Sequence, residues 1–289
     1  MSIRLFVKKN RLFLLIAAFA LLILFFYWQN NNITINRIQY SNDKIPEAYQ
    51  RFKILQVSDL HNKEFGPNQV KLIKLTKKIK PDIIVVTGDL IDSHRTNINI
   101  SMDYIRQAVK IAPVYFVTGN HEKWSDEYAE LNKQLLETGI DILDNQAMLL
   151  TRNKESIVLM GLGDPFPLTQ MEEINENLGK MVKSASNQIS DKFTILLSHR
   201  PELIDLYAVN KIDLVFCGHA HGGQFRLPLV GGLYAPNQGF FPKYTNGITL
   251  KKSTSMVVSR GLGNSVIPVR IFNRPELVVV TLNSKKQDK

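Results

Sequence analysis

The sequence predicts an α/β fold built on a largely parallel sheet, with a second sheet packed against it and one membrane-spanning helix ahead of both. Three observations carry this. From Phe52 onward, apolar runs of strand length alternate with amphipathic stretches of helix length. The last third is rich in Gly and Pro and reads as shorter, hairpin-like strands. Ahead of all this, Leu12–Trp28 is a run of 17 apolar residues, with no further charge until Arg37.

The N-terminal run comes first. A helix rises about 1.5 Å per residue, so the run reaches the lower limit of a bilayer span, and the uncharged Gln and Asn residues after it extend it. Tyr27 and Trp28 stand where an interfacial aromatic belt belongs. No face of the segment is polar, so a core helix of the body fits it least. A cleaved signal peptide is the nearer alternative. Against it, the run is long for such a segment, and it ends in bulky Phe25–Trp28 and Asn residues, not in a small-x-small site. Arg4, Lys8, Lys9 and Arg11 precede the run, whereas only Arg37 and Lys44 follow closely. The positive-inside rule then puts the N-terminus in the cytoplasm and the body on the extracytoplasmic side. The expected organisation is a basic flank over 1–11, a transmembrane anchor over 12–28, a polar Asn-rich linker over 29–50, a folded body over 51–283 and a basic tail over 284–289.

Within the body, strand Lys53–Val57 leads to a helix over Pro67–Ile79, with Val70, Ile73 and Leu75 on its apolar side. Buried strand Asp82–Thr87 follows, then a helix near Ile100–Lys110, strand Val114–Thr118, a helix near Ser125–Thr138 and strand Ile140–Leu143. Shorter strands are expected near Met148–Thr151 and Ile157–Gly161. A helix near Thr169–Val182 precedes strand Phe193–Ser198, a helix near Pro201–Val209 and strand Asp213–Cys217. The final strands fall near Met256–Ser259 and Leu277–Leu282.

Composition narrows the function. The chain of 289 residues is 44% hydrophobic and 21% charged, which excludes a disordered protein. A single cysteine, Cys217, excludes a disulfide framework and a thiolate zinc cluster, and reads as a small buried hydrophobe. The net charge of +10 hints at an anionic partner, but the first eleven residues carry +4 and the tail after Asn283 carries +2. The body is only mildly basic, and no nucleic-acid-binding signature is present, so no nucleic acid partner is expected.

The chemistry lies just past the strand ends. Ser58-Asp59-Leu60-His61, Gly88-Asp89-Leu90-Ile91-Asp92, Gly119-Asn120-His121-Glu122, Ser198-His199 and Gly218-His219-Ala220-His221 each follow a predicted strand. In open α/β sheets, ligands gather at the carboxyl ends of strands. Five of the six histidines fall there, mixed with carboxylates and an amide; His94 alone lies just beyond. Scattered packing histidines would not cluster so. Imidazole, carboxylate and carbonyl donors suit Mn, Fe or Zn, and the set is large enough for two ions clamping a transferring phosphoryl group. A bridging carboxylate is then needed, and Asp89 is placed for it.

The ordered set Asp59-x-His61, Gly88-Asp89, Gly119-Asn120-His121-Glu122, His199 and Gly218-His219-x-His221 resembles the calcineurin-like metallophosphoesterases. The stretches Gly218–Gln224, Pro228–Pro236 and Ser259–Glu276 are similar to a membrane-associated bacterial branch, the YaeI/YkuE-like phosphoesterases, and the likeness spans about residues 50–283. The resemblance implies a four-layer αββα sandwich and two divalent metals, Mn favoured. It implies Asp59, His61 and His221 on one metal, Asn120, His199 and His219 on the other, and Asp89 between them. It also implies that His121 faces the substrate as acid or charge stabiliser, with Asp92 orienting it. The activity implied is phosphoester hydrolysis by in-line attack of a metal-activated water. The substrate would be a phosphomonoester or phosphodiester, of lipid or cell-envelope origin given the anchor. A UDP-2,3-diacylglucosamine-type pyrophosphatase is the more specific alternative, and an inactive metal-binding scaffold the alternative from another class.

Among the remaining features, Gly231, Gly232 and Gly239 read mainly as turns and the Gly222-Gly223 pair as room for a substrate to approach the backbone, Phe240 and Phe241 as core, acyl-chain or bilayer contacts, and Arg260, Arg270 and Arg274 as phosphate ligands or structural ion pairs.

Overall fold

In the computed structural model, residues 10–165, 171–188, 192–265 and 267–285 are described. The basic residues before Asn10 and the last four of the tail lie outside them, as do Thr169 and Gln170 of the expected helix.

The described residues open with helix α1 (Arg11–Asn31), whose apolar side chains are largely exposed. Strand β1 (Thr34–Asn42) follows, then β2 (Phe52–Val57), α2 (Val70–Ile79), β3 (Ile83–Thr87), α3 (Ile98–Ala108), β4 (Val114–Val117), the short α4 (Asn120–Trp124), α5 (Tyr128–Glu137) and β5 (Asp141–Ile142). The second half holds β6 (Gln146–Arg152), β7 (Glu155–Gly161), α6 (Met171–Gln188), β8 (Thr194–Leu197), α7 (Ile204–Val209) and β9 (Leu214–Cys217). Four two-residue strands come next: β10 (Arg226–Leu227), β11 (Gly231–Gly232), β12 (Tyr234–Ala235) and β13 (Gly239–Phe240). The chain closes with β14 (Gly247–Lys251), β15 (Thr254–Val258) and β16 (Glu276–Ser284).

Continuous apolar strands such as Ile83–Val86 need cover on both faces, and they have it. Among the described residues, two six-stranded sheets stand face to face, ordered β1-β16-β2-β3-β4-β5 and β14-β15-β9-β8-β7-β6. Strands β2 to β5 run parallel, as do β7, β8, β9 and β15. Ile54, Val85 and Val278 of one sheet meet Leu159, Ile195 and Phe216 of the other. On the outer face of the first sheet, Leu55 and Val86 pack on Leu72, Ile105 and Leu131 of α2, α3 and α5. On the outer face of the second, Met160 and Val215 pack on Leu178 and Tyr207 of α6 and α7, with Cys217 among them. The order helix, sheet, sheet, helix is the four-layer sandwich expected.

One expectation fails. Residues 29–50 do not form a linker. Thr34–Asn42 is a strand paired in parallel with β16, in register from Thr34 on Glu276 to Asn42 on Ser284. The Asn-rich composition hides the β-branched residues Ile33, Thr34, Ile35 and Ile38, which suit a strand. The partner strand is the last in the chain, so nothing local announces the pairing.

Candidate metal centre

The parallel strands β2, β3, β4, β8 and β9 end on one rim, and each hands its loop to the same cleft. The loops turn sharply. Asp59, His61, Asp89, His219 and His221 all take positive φ, between 45° and 64°. Such conformations cost of order 1–3 kcal/mol each in a non-glycine residue and persist where the surroundings fix them. Two glycines let the loops approach. A Cβ on Gly88, itself at φ 85°, would lie 2.6 Å from the Gly119 nitrogen, and one on Gly218 would lie 2.0 Å from Ser58 Oγ.

The side chains converge in two overlapping groups. Asp59, His61, Asp89 and His221 form one, Asp89, His199 and His219 the other, with donor atoms in each group within 4.8 Å of one another. Asp89 Oδ2 belongs to both: it is 3.1 Å from His199 Nε2 and 3.5 Å from His61 Nε2. His61 Nε2 lies 3.1 Å from His221 Nε2, which is 3.5 Å from Asp59 Oδ1. His199 Nε2 lies 3.2 Å from His219 Nδ1.

Hydrogen bonds outside the cluster set the tautomers. His199 Nδ1–H donates to the Thr87 carbonyl at 2.8 Å, which turns Nε2 toward Asp89. His219 Nε2–H donates to Asn237 Oδ1 at 2.9 Å, leaving Nδ1 toward His199. Asp59 Oδ1 accepts the His219 amide and Asp89 Oδ1 the His121 amide, both at 2.9 Å.

These residues fit divalent cations. Burial, together with neighbouring cationic groups, holds His61 and His219 well below the ordinary imidazole range and His221 down to about 3, so these are neutral donors. Burial opposes charge on Asp89, but His199 and His121 outweigh it and hold the carboxyl well below its usual range. Burial lowers His199, yet Asp89 beside it raises it to about 10. Burial, countered in part by His199, raises Asp59 to about 6. Asp59 Oδ2, Asn120 Oδ1, His61 Nδ1 and His221 Nδ1 are buried with no hydrogen-bond partner. Buried polar atoms are rarely left so, and unpaired oxygen donors beside facing imidazole nitrogens are what a cation satisfies.

His121 sits at the edge, its ring 4.5 Å from that of His61 and 5.2 Å from that of Trp124. Its Nδ1 accepts the Ser93 backbone N–H at 3.0 Å and lies 3.1 Å from Ser93 Oγ; its Nε2 lies 3.3 Å from Ser265 Oγ. Asp92 is close by, but its oxygens accept from the His94 amide and the Arg95 guanidinium, both at 3.0 Å. The hydrogen bonds that hold His121 therefore run through Ser93, the next residue along.

Sequence reasoning left several supports unassigned. Buried Glu122 accepts from the amides of Asp89 and Gly119 at 2.8 Å and of Ile91 at 3.2 Å, tying two loops together. Arg200, fully buried, makes a two-pronged pair with Asp164 at 2.6 and 3.1 Å and donates to Asn237 Oδ1 at 3.0 Å. Asn273 Nδ2 donates to the carbonyls of His221 and Gln224. Of these, only Glu122 carried a signal, its place beside His121. Arg260 pairs with Glu276, and Arg270 binds the carbonyls of Arg260, Gly263 and Asn273, so both are structural. A cavity of about 320 Å³ opens over the cluster, walled by His94, Trp124, Tyr234, Pro236 and Ile267.

Comparison with known proteins agrees with this geometry. Residues 52–223 match the family model for the calcineurin-like phosphoesterase. The chain is 30% identical over 246 residues to the Bacillus subtilis protein named an uncharacterized metallophosphoesterase, YkuE, covering 83% of this chain and 82% of that one. It is 29% identical over 243 residues to the Escherichia coli protein named phosphodiesterase YaeI, covering 80% and 82%. It is 27% identical over 248 residues to a Danio rerio protein named a transmembrane protein with metallophosphoesterase domain, covering 83% of this chain and 55% of that one. With the matched span ending just past His221 and both cation clusters inside it, the chain belongs to the calcineurin-like phosphoesterases and is a metal-dependent phosphoester hydrolase.

Proposed function

We propose that this protein is a membrane-anchored phosphoesterase whose cleft holds two divalent ions. The observation that carries this reading is Asp89 Oδ2, common to the two donor clusters. Asp59, His61 and His221 would hold one ion, Asn120, His199 and His219 the second, with Asp89 between them. When bound, the ions supply Lewis acidity and an activated water near neutral pH. The chain's own residues do the rest. The cavity walls exclude bulk water from the phosphoryl group. His121 presents Nε2–H toward the cavity, because the Ser93 amide occupies Nδ1, and donates to the phosphoryl or leaving oxygen. Asp92, through its bonds to His94 and Arg95, steadies the turn that carries Ser93.

Helix α1 is the anchor in this reading: 21 residues, apolar and outside the body's core. The flanking cations support a cytoplasmic N-terminus and an extracytoplasmic catalytic domain. Substrates are phosphoesters met at the membrane or cell envelope.

The test is metal analysis together with hydrolysis of bis-nitrophenyl phosphate with Mn supplied, comparing the full chain with Asp89→Asn. A variant that keeps full metal content and full activity would sink the bridging assignment. Protease treatment of intact cells reports the side of the membrane: digestion of the catalytic domain supports export, and protection refutes it.

A further inference from the structure

The reading of α1 as an anchor leaves one surface unused. Helix α1 does not end in a free tether. Asn30 Oδ1 accepts from the Arg270 amide at 3.0 Å and from Asn264 Nδ2 at 3.1 Å, and Lys63 Nζ donates to the Asn30 carbonyl. Arg274 stacks on the Trp28 ring at 4.4 Å and donates through Nε to the Asn32 carbonyl at 3.1 Å. The catalytic domain is therefore held at a fixed height on the helix.

That height is informative. The Phe272 ring meets the Phe25 ring edge-on, with centroids 5.8 Å apart. Phe25 lies six residues before the helix end at Asn31, about 9 Å back along the axis at 1.5 Å per residue. The apolar run from Leu12 to Trp28 is about 25 Å long against a hydrocarbon layer of roughly 30 Å, so a spanning helix has no length to spare. A bilayer that covers Phe25 covers Phe272 as well.

Ile271, the residue before Phe272, is joined through backbone hydrogen bonds to a wider apolar layer. The Arg226 amide donates to Ile271 at 3.0 Å, the Leu233 amide to Phe225 at 2.8 Å and the Phe241 amide to Leu233 at 2.9 Å. This layer carries Leu229, Val230, Phe240 and Phe241, all exposed. Lys243 follows, also exposed, as a cation suited to anionic headgroups.

We infer that the exposed side chains Leu229, Val230, Phe240, Phe241 and Lys243, with Phe272, form a second membrane contact, laid into the interface of the same bilayer that α1 crosses. The occupant is the lipid interface itself, because the patch continues directly from a helix whose apolar surface needs lipid. The inference rests on the anchor reading, and its test separates the two.

Cys217 is fully buried, so a thiol-reactive dye reports on an introduced cysteine. Full-length Phe241→Cys, Leu229→Cys, Leu22→Cys and Lys154→Cys, each labelled, are placed in phosphatidylcholine–phosphatidylglycerol vesicles with a nitroxide on the upper acyl chain. Bis-nitrophenyl phosphate hydrolysis in detergent at the wild-type rate confirms that each is folded. Loss of emission at 22, 229 and 241, with emission kept at 154, is the expected result. Loss at 22 alone overturns the second contact and leaves the anchor standing. Emission kept at 22 overturns the anchor and this inference with it. Blue-shifted but unquenched emission at 229 and 241 that varies with the protein-to-lipid ratio puts a second copy of the chain on the patch, which also overturns it.

Discussion

Replacing Glu122 with alanine tests how the cleft is held before any ion binds. Its carboxylate is wholly buried and accepts three backbone N–H groups, from Asp89, Gly119 and Ile91. Alanine leaves all three without an acceptor. An unsatisfied buried donor costs about 1–3 kcal/mol, so three would cost roughly 3–9 kcal/mol if none found water. Two effects reduce this. The vacated space admits water to some of the donors, and burial of the carboxyl, with Asp89 nearby, already raises it to about 7, so alanine removes an unfavourable desolvation. The expected loss is about 3–5 kcal/mol, in the range of large single-site effects. Glutamine has nearly the same shape. Its carbonyl in the Oε2 place keeps the bonds to Asp89 and Gly119, while its amide opposes the Ile91 N–H, for a loss of about 1–3 kcal/mol. Urea unfolding of the metal-free, detergent-solubilised chain measures both, with Trp124 at the cleft as the fluorescent reporter. An alanine variant within about 0.5 kcal/mol of wild type, or a glutamine variant costing more than alanine, would refute the reasoning.

The other predictions concern the cations and the buried charges. Asp89→Asn should lower metal content at both positions, with an activity loss beyond the roughly 10–100-fold that follows removal of a ligand's own hydrogen-bond partner; elemental analysis and steady-state rates check it. His121→Ala should lower turnover about 10²–10⁴-fold with metal content unchanged, and metal loss in that variant would contradict its role. Asp164→Ala removes the two-pronged partner of the buried Arg200 guanidinium, leaving Glu202 Oε1 at 3.3 Å as its carboxylate neighbour, and should cost about 1–3 kcal/mol in chemical denaturation. Glu122 also predicts a pH effect in the metal-free protein. Its carboxyl is raised from 4.5 to about 7, so the folded state keeps a proton that the unfolded chain releases. Its contribution is full at low pH and is lost as pH rises through about 7, and Glu122→Gln should remove that slope from the stability profile.

Local signals located most of the fold. Strands such as Ile83–Thr87 and Leu214–Cys217 are continuous apolar runs ended by Gly, and they stand within a residue of where the sequence put them. The site was legible for the same reason: each chemical residue follows such a strand, so one rule about parallel sheets gathers Asp59, Asp89, Asn120, His199 and His219. What escaped depends on partners far away in the chain. Strand β14 lies at a sheet edge, with Ile248 and Leu250 turned outward, and lacks the apolar density that marks a central strand. The pairing of Asn237 with His219 and Arg200, and of Asn273 with His221, joins irregular segments that no periodicity connects. Ser93 gave no signal, since its contribution to His121 is largely a backbone amide, which every residue but proline possesses.

The pairing of β1 with β16 has a consequence for the order of events during synthesis. The first strand of the sheet to be made must wait for the strand that is made last, because β16 separates β1 from β2. Until the final residues emerge, β1 has no partner strand and β2 is an edge paired only with β3, and both are exposed to wrong pairing. Contacts this distant in sequence also make for slow closure. The second sheet has no such dependence, since its strands run from Gln146 to Val258. A nascent chain should therefore build the second sheet first and complete the first only on release. Removing residues after Pro275 would leave a half-closed domain, and the protease sensitivity of such truncations would show it.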